Sequence, residues 1–184
     1  MGCAGSLNVN TNDNNNQGLN KIMLSASKSI TNIEVSGKIT YGFFVKFFKN
    51  DKDFFCLMIS NENITDDMVK KRETIKLFYD NESKIKKIEL NSKERYIKNF
   101  SDISINSMVI ELLPSDEIDK DYFLLPIINE FENLKNEEII VIHFPKGIMN
   151  YSKGKIKEIN KYEFTHSAQV EINSQGNPIF LKKV

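Results

Sequence analysis

The chain holds two histidines, His143 and His166, and two cysteines, Cys3 and Cys56. These side chains serve most readily as general base or nucleophile near neutral pH. His143 lies inside the apolar run 139–144, where a lone histidine is expected to be a hydrogen-bonded core or edge residue rather than a catalyst. His166 is expected at a strand end, in contact with backbone. Cys56 sits in Phe54-Phe55-Cys56-Leu57-Met58-Ile59, and a thiol buried in such a strand is inert. Neither cysteine has a metal-ligand neighbour, so no metal or cofactor is implied. The pair suggests no disulfide framework and suits a reducing, cytoplasmic compartment.

Cys3 has a second use. The start Met1-Gly2-Cys3-Ala4-Gly5-Ser6 fits the N-myristoylation pattern, with Gly2 exposed after Met removal and a serine four positions on. Cys3 beside it is a site for palmitoylation. Two lipids make physical sense, because one myristoyl chain gives only marginal binding, with an association constant of about 10⁴ per molar. The stretch 8–20 is rich in Asn and Gln and has no aromatic residue. It buries too little apolar surface to order itself, so residues 1–24 read as an acylated, flexible, Asn-rich membrane tether.

The remaining elements must position whatever chemistry exists, and they are β. Strands are expected over 29–35, 43–48, 54–59, 74–78, 86–90 and 107–111, then over 139–144, 154–159, 169–172 and 179–181. Turn signals such as Asp80-Asn81-Glu82-Ser83 and Pro145-Lys146-Gly147 separate them, a pattern of sandwiches and barrels. One helix is expected over 65–72, with Thr65 as N-cap and Asp66 and Asp67 in its first turn. The stretch 116–134, containing Pro126, reads as a connector. This gives a first β unit over 25–115, and a connector with a second β unit over 116–184. Among 184 residues, 40% hydrophobic and 27% charged describe a globular protein. Lys plus Arg equals Asp plus Glu, 25 against 25, and the charges are interspersed, so nucleic acid is not an expected partner.

Four segments, in order, resemble a trypsin-like serine protease of the chymotrypsin fold. Thr40-Tyr41-Gly42-Phe43-Phe44-Val45 is similar to the glycine-bearing strand that opens the first barrel. Leu57-Met58-Ile59-Ser60-Asn61-Glu62-Asn63-Ile64 resembles the strand and turn that deliver the catalytic histidine. Phe100-Ser101-Asp102-Ile103-Ser104-Ile105 is similar to the segment of the triad aspartate. Asn173-Ser174-Gln175-Gly176-Asn177-Pro178-Ile179 resembles the nucleophile loop. Gly154-Lys155-Ile156 and Thr165-His166-Ser167-Ala168 stand where second-barrel strands are expected, more like the HtrA-like or intracellular branches than the digestive enzymes. The resemblance implies an all-β fold of two packed antiparallel barrels.

It also implies a degenerate triad at Asn63, Asp102 and Gln175. In that mechanism a histidine removes the serine proton, an aspartate orients the imidazole, and backbone N–H groups stabilise the oxyanion. An asparagine has no basic nitrogen near neutral pH, and a glutamine amide is not the required nucleophile. Losing either partner alone costs on the order of 10⁶ in rate in an enzyme of this mechanism. In the oxyanion loop, Asn173 stands where the family has glycine, beside Ser174 and Gly176. The N–H groups of Asn173 and Gln175 are a candidate anion-binding nest. Ser174 is one residue out of register, which aims its hydroxyl away from the cleft.

Nine residues follow Gln175, whereas the family carries two further strands there. The second barrel is therefore expected to be incomplete, leaving a sheet edge that Lys182 and Lys183 protect or that a protein or peptide partner fills by β-augmentation. The resulting expectation is a non-catalytic, membrane-tethered pseudoprotease with a binding or regulatory role. The alternatives are an active serine-type peptidase with an unrecognised nucleophile, and a decaying duplicate of an active protease.

Overall fold

A computed structural model describes residues 4–5, 15–49, 51–62, 64–100, 106–126, 131–144, 148–160, 163–170 and 178–181. Two compact units make up the chain: Lys28–Phe123, and Met1–Ser27 together with Leu124–Val184. The first unit runs eight residues beyond the expected boundary at 115. Side-chain packing explains this, since Phe123 stacks against Phe44 at 5.5 Å and Phe55 at 4.8 Å between ring centroids.

The first unit is a curled seven-stranded sheet. Its strands are β2 (Ile30–Val35), β3 (Lys38–Lys49), β4 (Lys52–Ser60), β5 (Thr74–Tyr79), β6 (Lys84–Glu89), β7 (Ile97–Phe100) and β8 (Ser107–Glu111). Their order in the sheet is β6-β5-β2-β3-β4-β8-β7, with every pairing antiparallel. Ser36 and Gly37 join β2 to β3 with φ of 48° and 79°, the left-handed pair that a tight hairpin of the right twist demands. Alternation is clearest in β5, where Ile75, Leu77 and Tyr79 are buried. They meet Ile33, Phe44, Leu57, Ile59, Ile88 and Met108 in one core. Gly42 is needed for close approach: a Cβ there would lie 2.6 Å from Ile59 Cγ2 and 2.8 Å from Met58 O.

The expected helix is α2 (Asp66–Lys70), which follows α1 (Asn15–Ser29) in the chain. Thr65 Oγ1 accepts from Met68 N at 3.3 Å, and Asp66 and Asp67 stand in the first turn. Strand β7 was not expected as a strand. It is four residues long with an alternating half-buried pattern, too short for a periodicity signal.

The second unit's sheet contains β1 (Ala4–Gly5), β9 (Glu138–His143), β10 (Asn150–Ile159), β11 (Phe164–His166) and β12 (Ile179–Leu181), in the order β1-β12-β9-β10-β11. Its core gathers Leu134, Ile139, Val141, Ile156, Ala168, Ile179 and Leu181. The strand expected over 169–172 lies earlier in sequence, at Phe164–His166, while Gln169 and Val170 are outside any strand. Gly154 explains this placement. A Cβ there would fall on the backbone nitrogen of Ala168 and lie 2.7 Å from its Cα. The chain just after β11 therefore crosses tightly over β10, and Lys155 N donates to Ser167 Oγ at 2.9 Å.

Two expectations for the N-terminal stretch are corrected. A helix, α1 (Asn15–Ser29), occupies residues expected to belong to a tether. Ile22 and Ala26 are buried along it, four residues apart, with Ser29 buried at its end, so a narrow buried stripe outweighs the polar composition. The outer edge of β12, expected to be open, is paired in parallel with β1, Ala4 opposite Ile179 and Gly5 opposite Phe180. This sheet is accordingly not antiparallel throughout.

Candidate functional site

Asn63, Asp102, Asn173, Ser174, Gln175 and Gly176 lie outside the described residues, as do the acylation candidates Gly2 and Cys3. The structure does describe the frame that carries positions 63 and 102. Strand β4 ends at Ser60, which pairs with Ser107 at the start of β8. Asn61 N then donates to Asn106 O at 3.2 Å, and Asn61 Nδ2 donates to Asn99 Oδ1 at 2.8 Å. Asn99 Nδ2 in turn donates to Asp66 Oδ1 at 3.3 Å, at the head of α2. Ile64, the residue after position 63, is fully buried.

The segment of position 63 thus leaves Asn61 and is pinned again at Ile64, while that of position 102 leaves β7 and returns at Asn106. An asparagine network joins the described flanking residues Asn61, Asn99 and Asn106 to one another and to Asp66. Sequence reasoning missed Asn61 and Asn99 because an asparagine beside a turn reads as turn chemistry. The segment of Gln175 belongs to the second unit and enters β12 through Pro178, which is buried.

The other candidate nucleophiles and bases are described. Cys56 is fully buried, and desolvation with a smaller contribution from the Glu111 carboxylate pushes its thiol up to about 12. It is no nucleophile near neutral pH. His143 is buried in β9 and its Nε2 lies 3.0 Å from Ser152 Oγ on β10. Ser152 was not singled out in the sequence, because a cross-strand neighbour is invisible before the register is known. This pair has the length of a base–nucleophile contact, yet it lacks the third member: His143 Nδ1 is buried with no hydrogen-bond partner among the described residues. The pair sits on the face of β9 that carries core residues Ile139 and Val141, which makes it a core hydrogen bond, as expected for His143. His166 does end β11, but among the described residues its buried Nδ1 has no hydrogen-bond partner, so that atom makes no backbone contact with them.

One buried ionic feature went unread. Arg95 Nη1 donates to Asp116 Oδ2 at 2.8 Å and Nη2 to Oδ1 at 3.3 Å, with both side chains 7% exposed. Nη1 also reaches Glu111 O at 2.9 Å, and Asp116 Oδ2 accepts from Leu113 N at 2.7 Å. The pair fastens the chain as it leaves β8, so its role is structural.

No family model and no curated protein matches the chain. Solved structures do. The Rv3671c protease in its inactive form, from M. tuberculosis H37Rv, matches with a TM-score of 0.55 and 12% identity, over 90% of this chain and 78% of that one. Deg5 matches with a TM-score of 0.56 and 12% identity, over 91% and 80%. A serine endoprotease from Yersinia pestis matches with a TM-score of 0.53 and 13% identity, over 91% of this chain and 53% of the other. At such identities the likeness carries the fold and not the activity. The two sheets, their cores and these neighbours together give the chain the fold of the trypsin-like serine proteases.

Proposed function

We propose that this chain is a non-catalytic relative of the trypsin-like proteases that works as a binding or regulatory module tethered to the cytoplasmic face of a membrane. The observation that carries the proposal is the pair Asn63 and Gln175, standing in the segments that resemble those of the family's histidine and serine. Neither side chain supplies a base or an oxygen nucleophile. The protonated, buried Cys56 and the core placement of His143 support the same reading, since neither offers a replacement. Tethering is supported by the Gly2, Cys3 and Ser6 pattern. No helix among the described residues is long and apolar enough to cross a membrane.

Turnover of a generic peptide library by the purified chain tests the first half. The expected rate is that of the buffer, and hydrolysis that co-purifies with the chain overturns it. Incorporation of labelled myristate and palmitate, lost in Gly2→Ala and Cys3→Ser respectively, tests the second half.

A second reading, an active peptidase, is favoured only by the 3.0 Å contact of His143 with Ser152. Ser152→Ala separates the two readings, because any activity resting on that pair disappears in the variant.

A further inference from the structure

We propose that the cleft between β4 and the stretch following β8 binds a small aromatic carboxylate, with its ring against Phe55 and Phe123 and its carboxylate on Lys120. The inference goes beyond the binding-module reading: it names a ligand, and it holds whether or not the chain is catalytic.

The cleft has a volume of about 230 Å³ and is lined wholly from the first unit. Phe55 comes from β4, while Leu113, Pro114, Ile118, Lys120 and Phe123 come from the stretch after β8. Leu112 N donates to Phe55 O at 2.8 Å, and Leu113 N donates to Asp116 Oδ2 at 2.7 Å. The stretch is thereby fastened to β4 and to the buried Arg95–Asp116 pair. Glu117, at a left-handed φ of 53°, turns the chain between Pro114 and Ile118. Backbone and buried groups thus build the site before any ligand arrives, which lowers the ordering cost of binding.

Phe55, Leu113, Ile118 and Phe123 are each only half-buried, so they keep apolar surface that a ligand removes from water. The rings of Phe55 and Phe123 meet at 74° with centroids 4.8 Å apart, and Phe44 backs Phe123 at 5.5 Å. Two lining rings at that angle offer a third ring both a face and an edge. Size points the same way. A cavity of about 150 Å³ holds benzene, so about 230 Å³ holds one ring with a short acidic arm rather than a drug-sized molecule.

The acid is assigned from the rim. Lys120 Nζ lies 5.6 Å from the centroid of Phe55 and has no carboxylate partner among the described residues. Lys46 also reaches that ring, at 6.0 Å, but Asp53 holds it at 3.3 Å. No lining residue is acidic, and Asp119 and Asp121, beside Lys120 in sequence, are exposed and do not line the cleft. An ammonium resting on an aromatic face, with no anion of its own, meets directly a carboxylate carried in on an apolar body.

The test titrates the isotope-labelled full chain with hydrocinnamate and follows its amide resonances. Hydrocinnamide serves as the uncharged analogue and octanoate as the aliphatic acid. Saturable shifts are expected at Phe55, Leu113, Ile118 and Phe123, with a dissociation constant of about 1 mM or tighter for a ligand of roughly 11 non-hydrogen atoms. The amide is expected to bind about fivefold more weakly, and octanoate about threefold. Lys120→Met, at an exposed side chain, is expected to weaken the acid about fivefold and leave the amide unchanged. Lys120→Arg restores the acid, and Lys93→Met, outside the cleft, has no effect. No saturable shift by about 10 mM ligand, shifts confined to other residues, or equal binding of acid and amide overturns the proposal. Octanoate binding as tightly as the aromatic acid also overturns it. The acid, amide and octanoate comparison uses the wild type alone, so it decides even where a variant fails to fold.

Discussion

At the scale of single residues, burial decides what each group does. Cys56 looks like a nucleophile in a composition table, yet its surroundings hold it protonated with a thiol pKa of about 12. Its ordinary value is 9.0, so this contribution to stability is complete below pH 9 and fades as the pH rises toward 12. Iodoacetamide at pH 8 is expected to leave Cys56 unmodified in the folded chain and to alkylate it once urea unfolds the protein. Peptide mass mapping reads the difference. Equal labelling in both states contradicts the burial. Arg95 and Asp116 are buried as a pair, joined by two hydrogen bonds. Asp116→Ala strands a buried guanidinium and is expected to destabilise by about 3–5 kcal/mol, whereas Arg95→Met with Asp116→Leu regains much of that loss. Urea denaturation of the single and double variants measures both. The sequence announced Cys56 through its apolar neighbours but not Arg95 and Asp116, which stand 21 residues apart and meet only after β8 folds.

At the scale of elements, legibility follows pattern strength. Strand β5 alternates cleanly and Thr65 carries a cap signature, and both appear where expected. Capping by Thr65 is worth about 1 kcal/mol, so Thr65→Ala is expected to lower stability by that amount, with Thr65→Ser close to wild type. Elements placed by tertiary contact were not legible. Strand β11 is set by Gly154, whose missing side chain lets Ala168 cross over β10. Gly154→Val is expected to destabilise the second unit by roughly 1–3 kcal/mol through overpacking, and thermal denaturation followed by near-UV signal checks it. The asparagine-rich start misled for a related reason. Composition argued against order, while the stripe of Ile22, Ala26 and Ser29 is too sparse to register beside it. Strand β1 is two residues long and carries no sequence signal at all. The asparagine network of Asn61, Asn99 and Asn106 belongs here too: the sequence showed its members, and only the register of β4, β7 and β8 joins them.

At the scale of the whole molecule, two sheets with separate cores reproduce a protease fold, and the chemistry depends on a few positions grafted onto it. The fold was legible through the order of four weak motifs rather than through any one. The proposed loss of activity depends on Asn63 and Gln175, and restoring both is a demanding test. Asn63→His with Gln175→Ser is expected to recover little peptide turnover, because a triad needs its members held to about 0.5 Å and its oxyanion loop intact, and Asn173 still stands in that loop. The most direct measurement is intact-mass analysis of the wild-type chain after saturating exposure to a serine-reactive fluorophosphonate. The expected result is an unshifted mass. A stoichiometric adduct, mapped to a serine and abolished by prior denaturation, would contradict it.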